Sequence, residues 1–279
     1  MIIRSDDRQA LSRSLAEIAG MGRHEFSNVL LTDCDSLFVR LRDRILSSDC
    51  CVYVLIHHIC RRLDLDEGNF ASFNLRRLLT TENAMSAFLR NYGITFKITD
   101  EAIVPFLNGR RINLASIRTN YGANLRRRLL GASCDVDTCV NGFALGDSIQ
   151  KNSYFSHYSE CPELICMLDC ILPSLGLFHD YQKQSSTYLI SYPVKFADVI
   201  LDDCSQACSC NKVERLIGCY LERLSYGLSS DELINADPGN MVLRVSDDVD
   251  LSGRVCVVRK YENGRFELLQ DNLSGMKCI

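Results

Sequence analysis

Apolar residues recur with a helical period over much of the first two thirds of the chain. A spacing of three to four residues predicts helices over 7–21, 34–46, 70–79, 81–92, 114–130 and 162–171, and again over 210–224. Residues at this spacing share one helix face. Each of these segments is therefore expected to bury an apolar stripe against a common core.

Alternation of apolar and polar residues predicts strands instead, mostly near the C-terminus. The segments are 94–98, 186–196, 241–245, 254–260 and 265–269, and Asn263-Gly264 closes the last two as a hairpin. Pro193 lacks a backbone N–H, so it places 186–196 at a sheet edge or marks an interrupted strand. Helices followed by strands predict an α+β fold, in which helix-rich N-terminal two thirds pack on a small antiparallel sheet near the C-terminus.

The apolar run from Cys51 to Leu63 carries the first candidate for chemistry. Val52, Leu55, Ile56, Ile59 and Leu63 predict a helix over 51–63. The positive end of a helix dipole favours thiolate over thiol, and enzymes that use a thiol keep their nucleophile in such a place. The position therefore makes Cys51 a candidate nucleophile; the alternative is a core cysteine in an apolar helix.

A hairpin at the C-terminus supplies a second half for such a site. The predicted strands 241–245, 254–260 and 265–269 are followed by Asp271-Asn272. With Cys51, this layout resembles the papain-like superfamily of thiol enzymes, especially the bacterial effector proteases and glutamine deamidases of that fold. The resemblance implies that Cys51, or Cys50, is the nucleophile and that Asp271, or Asn272, orients the catalytic base. It also implies a large insertion, over 66–235, within a single domain spanning 1–279.

The resemblance leaves the general base to be found. Its histidine position falls on Cys256 or the residue before it, and a thiol cannot replace an imidazole as the base. His57 and its neighbour lie too far along the predicted helix from residue 51. The base is therefore expected from a loop, at His179 or, as the alternative, at His157.

The 15 cysteines bear on the cellular compartment and on metal binding. The chain is long, their number is odd and the N-terminus has no secretory signal, which together indicate reduced thiols in the cytoplasm. Export by a non-classical route stays open. The densest cluster is Cys204, Cys208 and Cys210, whose spacing falls partly within the range of zinc ligands. No second cluster repeats that spacing, and no phosphate-binding glycine motif is present, so neither a metal nor a cofactor is predicted.

Charge suggests a different function. The net charge is −4, which argues against nucleic acid, and no apolar stretch is long enough for a membrane span. Between Glu101 and Asp135 there are no acidic residues but six arginines, namely Arg110, Arg111, Arg118, Arg126, Arg127 and Arg128. Arginine binds carboxylate and phosphate groups through paired hydrogen bonds. This segment is expected either to hold an acidic protein partner or to form a solvated helix face.

Two functions follow. The first is an intracellular thiol-dependent hydrolase or deamidase that acts on a protein substrate, of the kind exported as an effector. Its catalytic residues would be Cys51, Asp271 and His179. The second is a non-catalytic protein that binds an acidic partner through the arginine-rich segment. Oligomeric state is not indicated by the sequence.

Overall fold

The computed structural model describes residues 1–47, 52–63, 70–99, 102–129, 139–201, 209–225, 240–246, 249, 251 and 256–273. The helices in these residues are α1 (Arg8–Ala19), α2 (Arg23–Thr32), α3 (Cys34–Ser47), α4 (Leu75–Thr80), α5 (Ala84–Asn91), α6 (Asn120–Leu129), α7 (Ser153–Glu160), α8 (Glu163–Ile171), α9 (Leu177–Lys183) and α10 (Ser209–Ser225). The strands are β1 (Ile2–Ile3), β2 (Tyr53–Leu63), β3 (Ile94–Thr99), β4 (Ala102–Leu107), β5 (Arg110–Arg111), β6 (Val140–Phe143), β7 (Ser185–Lys195), β8 (Val199–Leu201), β9 (Val242–Val245), β10 (Val257–Glu262) and β11 (Arg265–Asp271).

An eight-stranded sheet forms the centre of the described part of the molecule. Its strand order is β11-β10-β7-β2-β6-β9-β8, and β1 pairs in parallel with the start of β2. All other neighbours are antiparallel. β2 and β7 are the longest strands and pair along their whole length, from Tyr53 opposite Lys195 to Leu63 opposite Ser185.

One face of this sheet is covered by helices from both ends of the chain. Helices α1, α3 and α10 pack on one another and bury residues such as Leu15, Leu41 and Tyr220 against the sheet. A second apolar cluster joins the three-stranded sheet β3-β4-β5 to α5, α6, α8 and α9 around Leu89, Leu125 and Leu168. Burial of these side chains contributes roughly 1.5–3 kcal/mol each.

The structure confirms the predicted α+β class. Amphipathic segments at 7–21, 34–46, 81–92, 162–171 and 210–224 correspond to α1, α3, α5, α8 and α10. The terminal hairpin is also present, with Asn263 and Gly264 at positive φ angles of 51° and 83°, as a two-residue turn of this kind requires. The sheet is larger than predicted, since β1 and β2 come from the first half of the chain and both β6 and β7 lie within the 66–235 segment.

The helix predicted over 51–63 is wrong, because Tyr53–Leu63 forms the strand β2. This strand lies inside the sheet and is covered on both faces, so it carries apolar residues at successive positions, with Val54, Leu55 and Ile56 all fully buried. A short apolar run of this kind does not distinguish a buried strand from a buried helix. Its valines and isoleucines favour the strand.

Pro193 does not place its strand at a sheet edge, because β7 lies between β2 and β10. β10 pairs with β7 from Tyr188 to Ser191. On the β10 side, Pro193 therefore lies beyond the paired residues. No ladder hydrogen bond is lost there, which explains how a central strand accommodates a proline.

Candidate functional site

A cavity of about 490 Å³ opens beside the second half of β2. Its volume is within the range of sites that bind small molecules. The polar residues that line it include His58, Cys60, Arg61, Arg62, Ser72, Asn74, Asn83, Arg128, Cys139, Asn141, Glu163 and Arg244. This combination of a thiol, an imidazole and several guanidinium groups makes the cavity the strongest candidate for chemistry in the described residues.

The strand itself aligns three of these groups. His58, Cys60 and Arg62 are at alternate positions of β2, so their side chains leave the same face of the sheet. Their cross-strand partners on β7 are Ile190, Tyr188 and Ser186. The sequence His58-x-Cys60-x-Arg62 thus places an imidazole and a guanidinium on either side of one thiol.

The surroundings of Cys60 favour its thiolate. Burial opposes ionisation of this half-buried thiol, but the charges of Arg62 and His58 and hydrogen bonds from both outweigh it. Together they lower the pKa of Cys60 from the ordinary value of 9.0 to about 7. The Nε atom of Arg62 lies 3.2 Å from the Cys60 sulfur. Cys60 therefore has the charge environment of a reactive thiol.

A backbone carbonyl fixes the protonation pattern of His58. The Nδ1 atom of His58 lies 2.7 Å from the carbonyl oxygen of Asn141 in β6. A carbonyl oxygen only accepts hydrogen bonds, so Nδ1 must carry the proton. In the neutral imidazole Nε2 is then unprotonated and can accept a proton. The Asn141 carbonyl thus holds the imidazole in one orientation, as a carboxylate or amide does for the histidine of thiol and serine enzymes.

Hydrogen bonds also hold Arg62 in place. Its Nη2 atom donates to the Ser72 hydroxyl at 2.9 Å, and this hydroxyl is 2.7 Å from the hydroxyl of Tyr192. The Tyr192 hydroxyl in turn donates to the carbonyl of Phe70. Ser72 and Tyr192 are both buried. This chain of contacts keeps the guanidinium at the thiol and limits its freedom to swing into solvent.

The cavity wall is positively charged. Four arginines line it, at positions 61, 62, 128 and 244, against one carboxylate among its described residues, that of Glu163. Arg128 pairs with Glu163 at 2.5 Å. Arg61 has a structural role, because it donates to the carbonyls of Ser159 and Gln182 near the ends of α7 and α9. Arg62 and Arg244 line the cavity as well, Arg62 from the face of β2 that carries Cys60 and Arg244 from the opposite face.

Cys50 and Cys51 lie outside the described residues, so their distance to any imidazole is not part of the structure. The prediction of a reactive thiol at residue 51 depends on a helix that begins there. The chain forms a strand from Tyr53 instead, and a strand has no comparable dipole. The papain-like resemblance consequently depends on the hairpin alone.

Asp271 lies at the end of β11 in a network of ion pairs. Its Oδ2 atom accepts from Arg4 at 3.0 Å, and Arg4 also pairs with the buried Asp6 at 2.9 Å. Arg259 completes the network at 2.9 Å from Asp6. Burial would raise the pKa of Asp6, but Arg4 and Arg259 outweigh it and lower the pKa to about 2. Here Asp271 ties the hairpin to the N-terminal segment.

The other residues of the resemblance are distributed over the fold. Cys256, at the position expected of the base, is fully buried, and burial raises its pKa to about 11. The backbone N–H of Asn272 donates to the Cys256 carbonyl. His179 is exposed on α9 and His157 is exposed on α7. Neither histidine is among the residues that line the cavity.

The arginine-rich segment divides into two groups. Arg110, Arg111, Arg118 and Arg127 are exposed. Arg126 is half-buried and donates to the carbonyls of Leu114 and Ile117, which ties α6 to the turn before it. Arg128 pairs with Glu163 and faces the cavity. The four exposed arginines form the surface that could meet a partner.

In the described residues no group of three His, Cys, Asp or Glu side chains is arranged to bind a metal ion. Cys204 and Cys208 lie outside those residues, as does the side chain of Cys210. None of the helices within them is long and apolar enough to cross a membrane.

Comparison of the chain with family models, curated proteins and solved structures finds no match. A family relationship therefore contributes nothing to the assignment of function, which must be argued from the residues themselves. The alternation of His58, Cys60 and Arg62 was present in the sequence. A helix over 51–63 would instead have placed Cys60 on the opposite face from His58 and Arg62, so the sequence pattern did not connect the three residues.

Proposed function

We propose that this chain is a thiol-dependent hydrolase or deamidase that acts on a protein substrate, with Cys60 as its nucleophile and His58 as its general base and acid. The observation that carries the proposal is the position of the Cys60 thiol between His58 and Arg62 in the cavity wall, with a pKa of about 7. Near neutral pH a large fraction of such a thiol is ionised, and the thiolate is the form that attacks a carbonyl carbon.

Each neighbour of Cys60 has a role in acyl transfer. The thiolate attacks the carbonyl carbon of an amide, and the Arg62 guanidinium stabilises the negative charge that develops on the oxygen. Protonated His58 then donates its Nε2 proton to the leaving nitrogen, and the C–N bond breaks. A water molecule, deprotonated by His58, attacks the thioester and regenerates the thiolate. Asn141 holds the imidazole in the orientation that both proton transfers need.

Carboxymethylation by iodoacetamide as a function of pH tests this proposal. Peptide-resolved mass spectrometry of the folded protein should give half-maximal labelling of Cys60 near pH 7. Cys170 is the internal control, because it is exposed on α8 and its pKa is raised by burial and by Asp169. The same experiment reports on Cys51. If Cys60 labels with the pH dependence of the denatured chain, Cys60 is not the nucleophile; selective labelling of Cys51 would restore the first candidate.

A second function, the binding of an acidic protein partner, is supported by the exposed arginines at 110, 111, 118 and 127. These side chains do not line the cavity. Binding through them would therefore be independent of the thiol. The two functions are separable by mutation.

A further inference from the structure

One edge of β2 is only partly paired in the described residues. β1 pairs with it at Tyr53 and Val54, and β6 pairs with it at His57, opposite Phe143. On the other side, β7 continues to pair as far as Leu63. The edge from residue 58 to residue 63 therefore faces no strand in the described part of the chain. It is about 17 Å long, at 3.3 Å per residue.

Hydrogen bonds elsewhere along β2 show which of its backbone groups face this edge. The N–H of Phe196 donates to the carbonyl of Val52, so the even-numbered residues of β2 direct their backbone groups to β7. The odd-numbered residues Ile59, Arg61 and Leu63 direct theirs to the edge. Tyr181 accounts for one of these groups by donating to the Arg61 carbonyl at 2.9 Å.

His58 marks the place where the ladder between β2 and β6 stops. In the register set by His57 and Phe143, Ile59 would be the next residue opposite Asn141. The carbonyl of Asn141 accepts from the His58 side chain instead. The cavity begins at this point, and the six consecutive residues 58–63 all line it. Consecutive residues point to opposite faces of a sheet, so the cavity must follow the strand edge itself.

We propose that this edge binds an extended acidic peptide as an added strand, and that a side-chain amide of this peptide is the group that Cys60 attacks. The inference rests on the proposed function and decides between its two reactions. A strand edge with free backbone groups recognises an extended peptide through main-chain hydrogen bonds, and adjacent pockets recognise alternate side chains.

The face occupied by Cys60 selects the reacting group. In an added strand the peptide carbonyls lie in the plane of the sheet, where they bond to β2. The Cys60 side chain stands on one face of that plane, together with His58 and Arg62. Opposing side chains on neighbouring strands have Cβ atoms about 4.5–5.5 Å apart. Cys60 therefore meets a side chain of the peptide, and a glutamine or asparagine supplies the carbonyl carbon.

The proposed preference for an acidic peptide comes from the face of the sheet opposite to Cys60. Arg244 pairs with Asn141 in the register of β6 and β9, which places both on the face of Ile59 rather than that of Cys60. Arg244 lines the cavity from that side. A peptide residue next to the reacting amide points to this face. An aspartate or glutamate there would meet the Arg244 guanidinium.

Water is the only co-reactant that this deamidation needs. The Cys60 thiolate forms a C–S bond with the amide carbon, and the C–N bond breaks as His58 protonates the nitrogen, which leaves as ammonia. Water then cleaves the thioester, His58 takes one of its protons, and the products are a carboxylate and the free thiolate. The net change converts a side-chain amide and water into a carboxylate and ammonium.

The binding mode can be tested without the chemistry. The Cys60→Ala variant would be used to select binders from a displayed library of random hexapeptides, and the best sequences would be synthesised with a single N-methyl group at each position in turn. Methylation removes one N–H at a time, so affinity should fall at least tenfold at alternate positions and little between them. Selected sequences should be rich in Asp or Glu, and Arg244→Gln should remove that preference.

Selection of no peptide, or equal losses at successive positions, would overturn the added-strand mode even if Cys60 labels near pH 7. Alternating losses with an ordinary Cys60 pKa would instead retain the binding mode and remove the catalytic proposal. The reacting group is tested by incubating selected peptides that contain glutamine or asparagine with the native chain. Conversion of the amide to an acid with release of ammonia is expected; cleavage of the peptide backbone would show that the side chain is not the group attacked.

Discussion

The Nδ1 atom of His58 lies 2.7 Å from the carbonyl oxygen of Asn141, and this contact connects β2 to β6 where their backbone ladder ends. The Asn141 carbonyl accepts from the His58 side chain, whereas in a continued ladder it would accept from the backbone N–H of Ile59. The imidazole is thereby held next to Cys60 in the tautomer that leaves Nε2 free to act as a base.

Replacing this imidazole should make Cys60 less reactive. In His58→Gln the charge and the hydrogen bond through which His58 lowers the pKa of Cys60 are lost, so this pKa should rise toward its ordinary value. Labelling by iodoacetamide at neutral pH should slow by about threefold to tenfold, in proportion to the thiolate fraction. His24→Gln is the matched control, since His24 is exposed on α2. An equal rate in both variants would contradict the role given to His58.

Ser72 should act on the thiol through Arg62. Ser72→Ala removes the hydroxyl that accepts from Arg62 at 2.9 Å, so the guanidinium is held less firmly and the pKa of Cys60 should rise. The free energy of unfolding should fall by about 1 kcal/mol. Tyr192→Phe is the comparison: it removes the hydroxyl beyond Ser72 but keeps the contact between Arg62 and Ser72, so its effect on the pKa of Cys60 should be smaller. Urea unfolding together with the pH dependence of Cys60 labelling would check this. A loss of stability in Ser72→Ala without any change in labelling would assign Ser72 a structural role only.

His57 should make stability depend on pH. Its ring is fully buried between Ser5 and Ser191, at 2.9 and 2.7 Å, and burial lowers its pKa to about 3. Below the unfolded pKa of about 6.5 the unfolded chain binds a proton that the folded chain does not bind until about pH 3. This stability is complete above pH 6.5 and is lost as the pH falls, by at most about 1.4 kcal/mol per pH unit.

Urea unfolding of the native chain and of His57→Gln at several pH values between about 6.5 and 4.5 checks this linkage. The variant should lose most of the slope, although its stability at neutral pH should also be lower because two buried hydroxyls lose their partner. His24→Gln should keep the slope of the native chain. Equal slopes for the native chain and His57→Gln would show that other groups cause the acid sensitivity.

Gly146 should not tolerate a side chain. A Cβ atom at this position would lie 2.6 Å from Nδ1 of His57, inside van der Waals contact with a ring that cannot move. Gly146→Ala is expected to lower the free energy of unfolding by about 1–3 kcal/mol. Gly218→Ala is the control, because an added Cβ there has open space and a helix interior favours alanine by up to about 1 kcal/mol. Chemical denaturation measures both, and similar values would contradict the close packing.

Partner binding by the exposed arginines is expected to be independent of the reactivity of Cys60. Changing Arg110, Arg111, Arg118 and Arg127 to Glu should abolish capture of an acidic partner in a pull-down and leave Cys60 labelling unchanged. Arg126 and Arg128 are left intact, because their reversal would break contacts to Leu114, Ile117 and Glu163. Reversal of exposed Arg23 and Arg40 controls for a general effect of charge. Unaltered binding by the fourfold variant would exclude this surface.

The sequence by itself determined the α+β class, most of the helices and the terminal hairpin. These features depend on local patterns: the helical period of apolar residues in α1, α3 and α10, and Asn263-Gly264 in a two-residue turn. It also identified thiol chemistry as a candidate function. The interpretation of 51–63 was wrong because a strand buried on both faces has the same apolar run as a buried helix.

Only the tertiary structure decided which residues meet. Residues 53–63 form a strand, with a side-chain period of 2, and not the predicted helix, with a period of 3.6. His58, Cys60 and Arg62 therefore lie on a single face. The chain supplies the other contacts from far along its length: Asn141 orients the imidazole, and Ser72 holds the guanidinium. Such contacts arise from the register of paired strands and from loop closure. No local pattern of residues encodes these contacts. The sequence therefore predicted a base at His179 or His157, whereas the structure offers His58 as a candidate, two residues before Cys60.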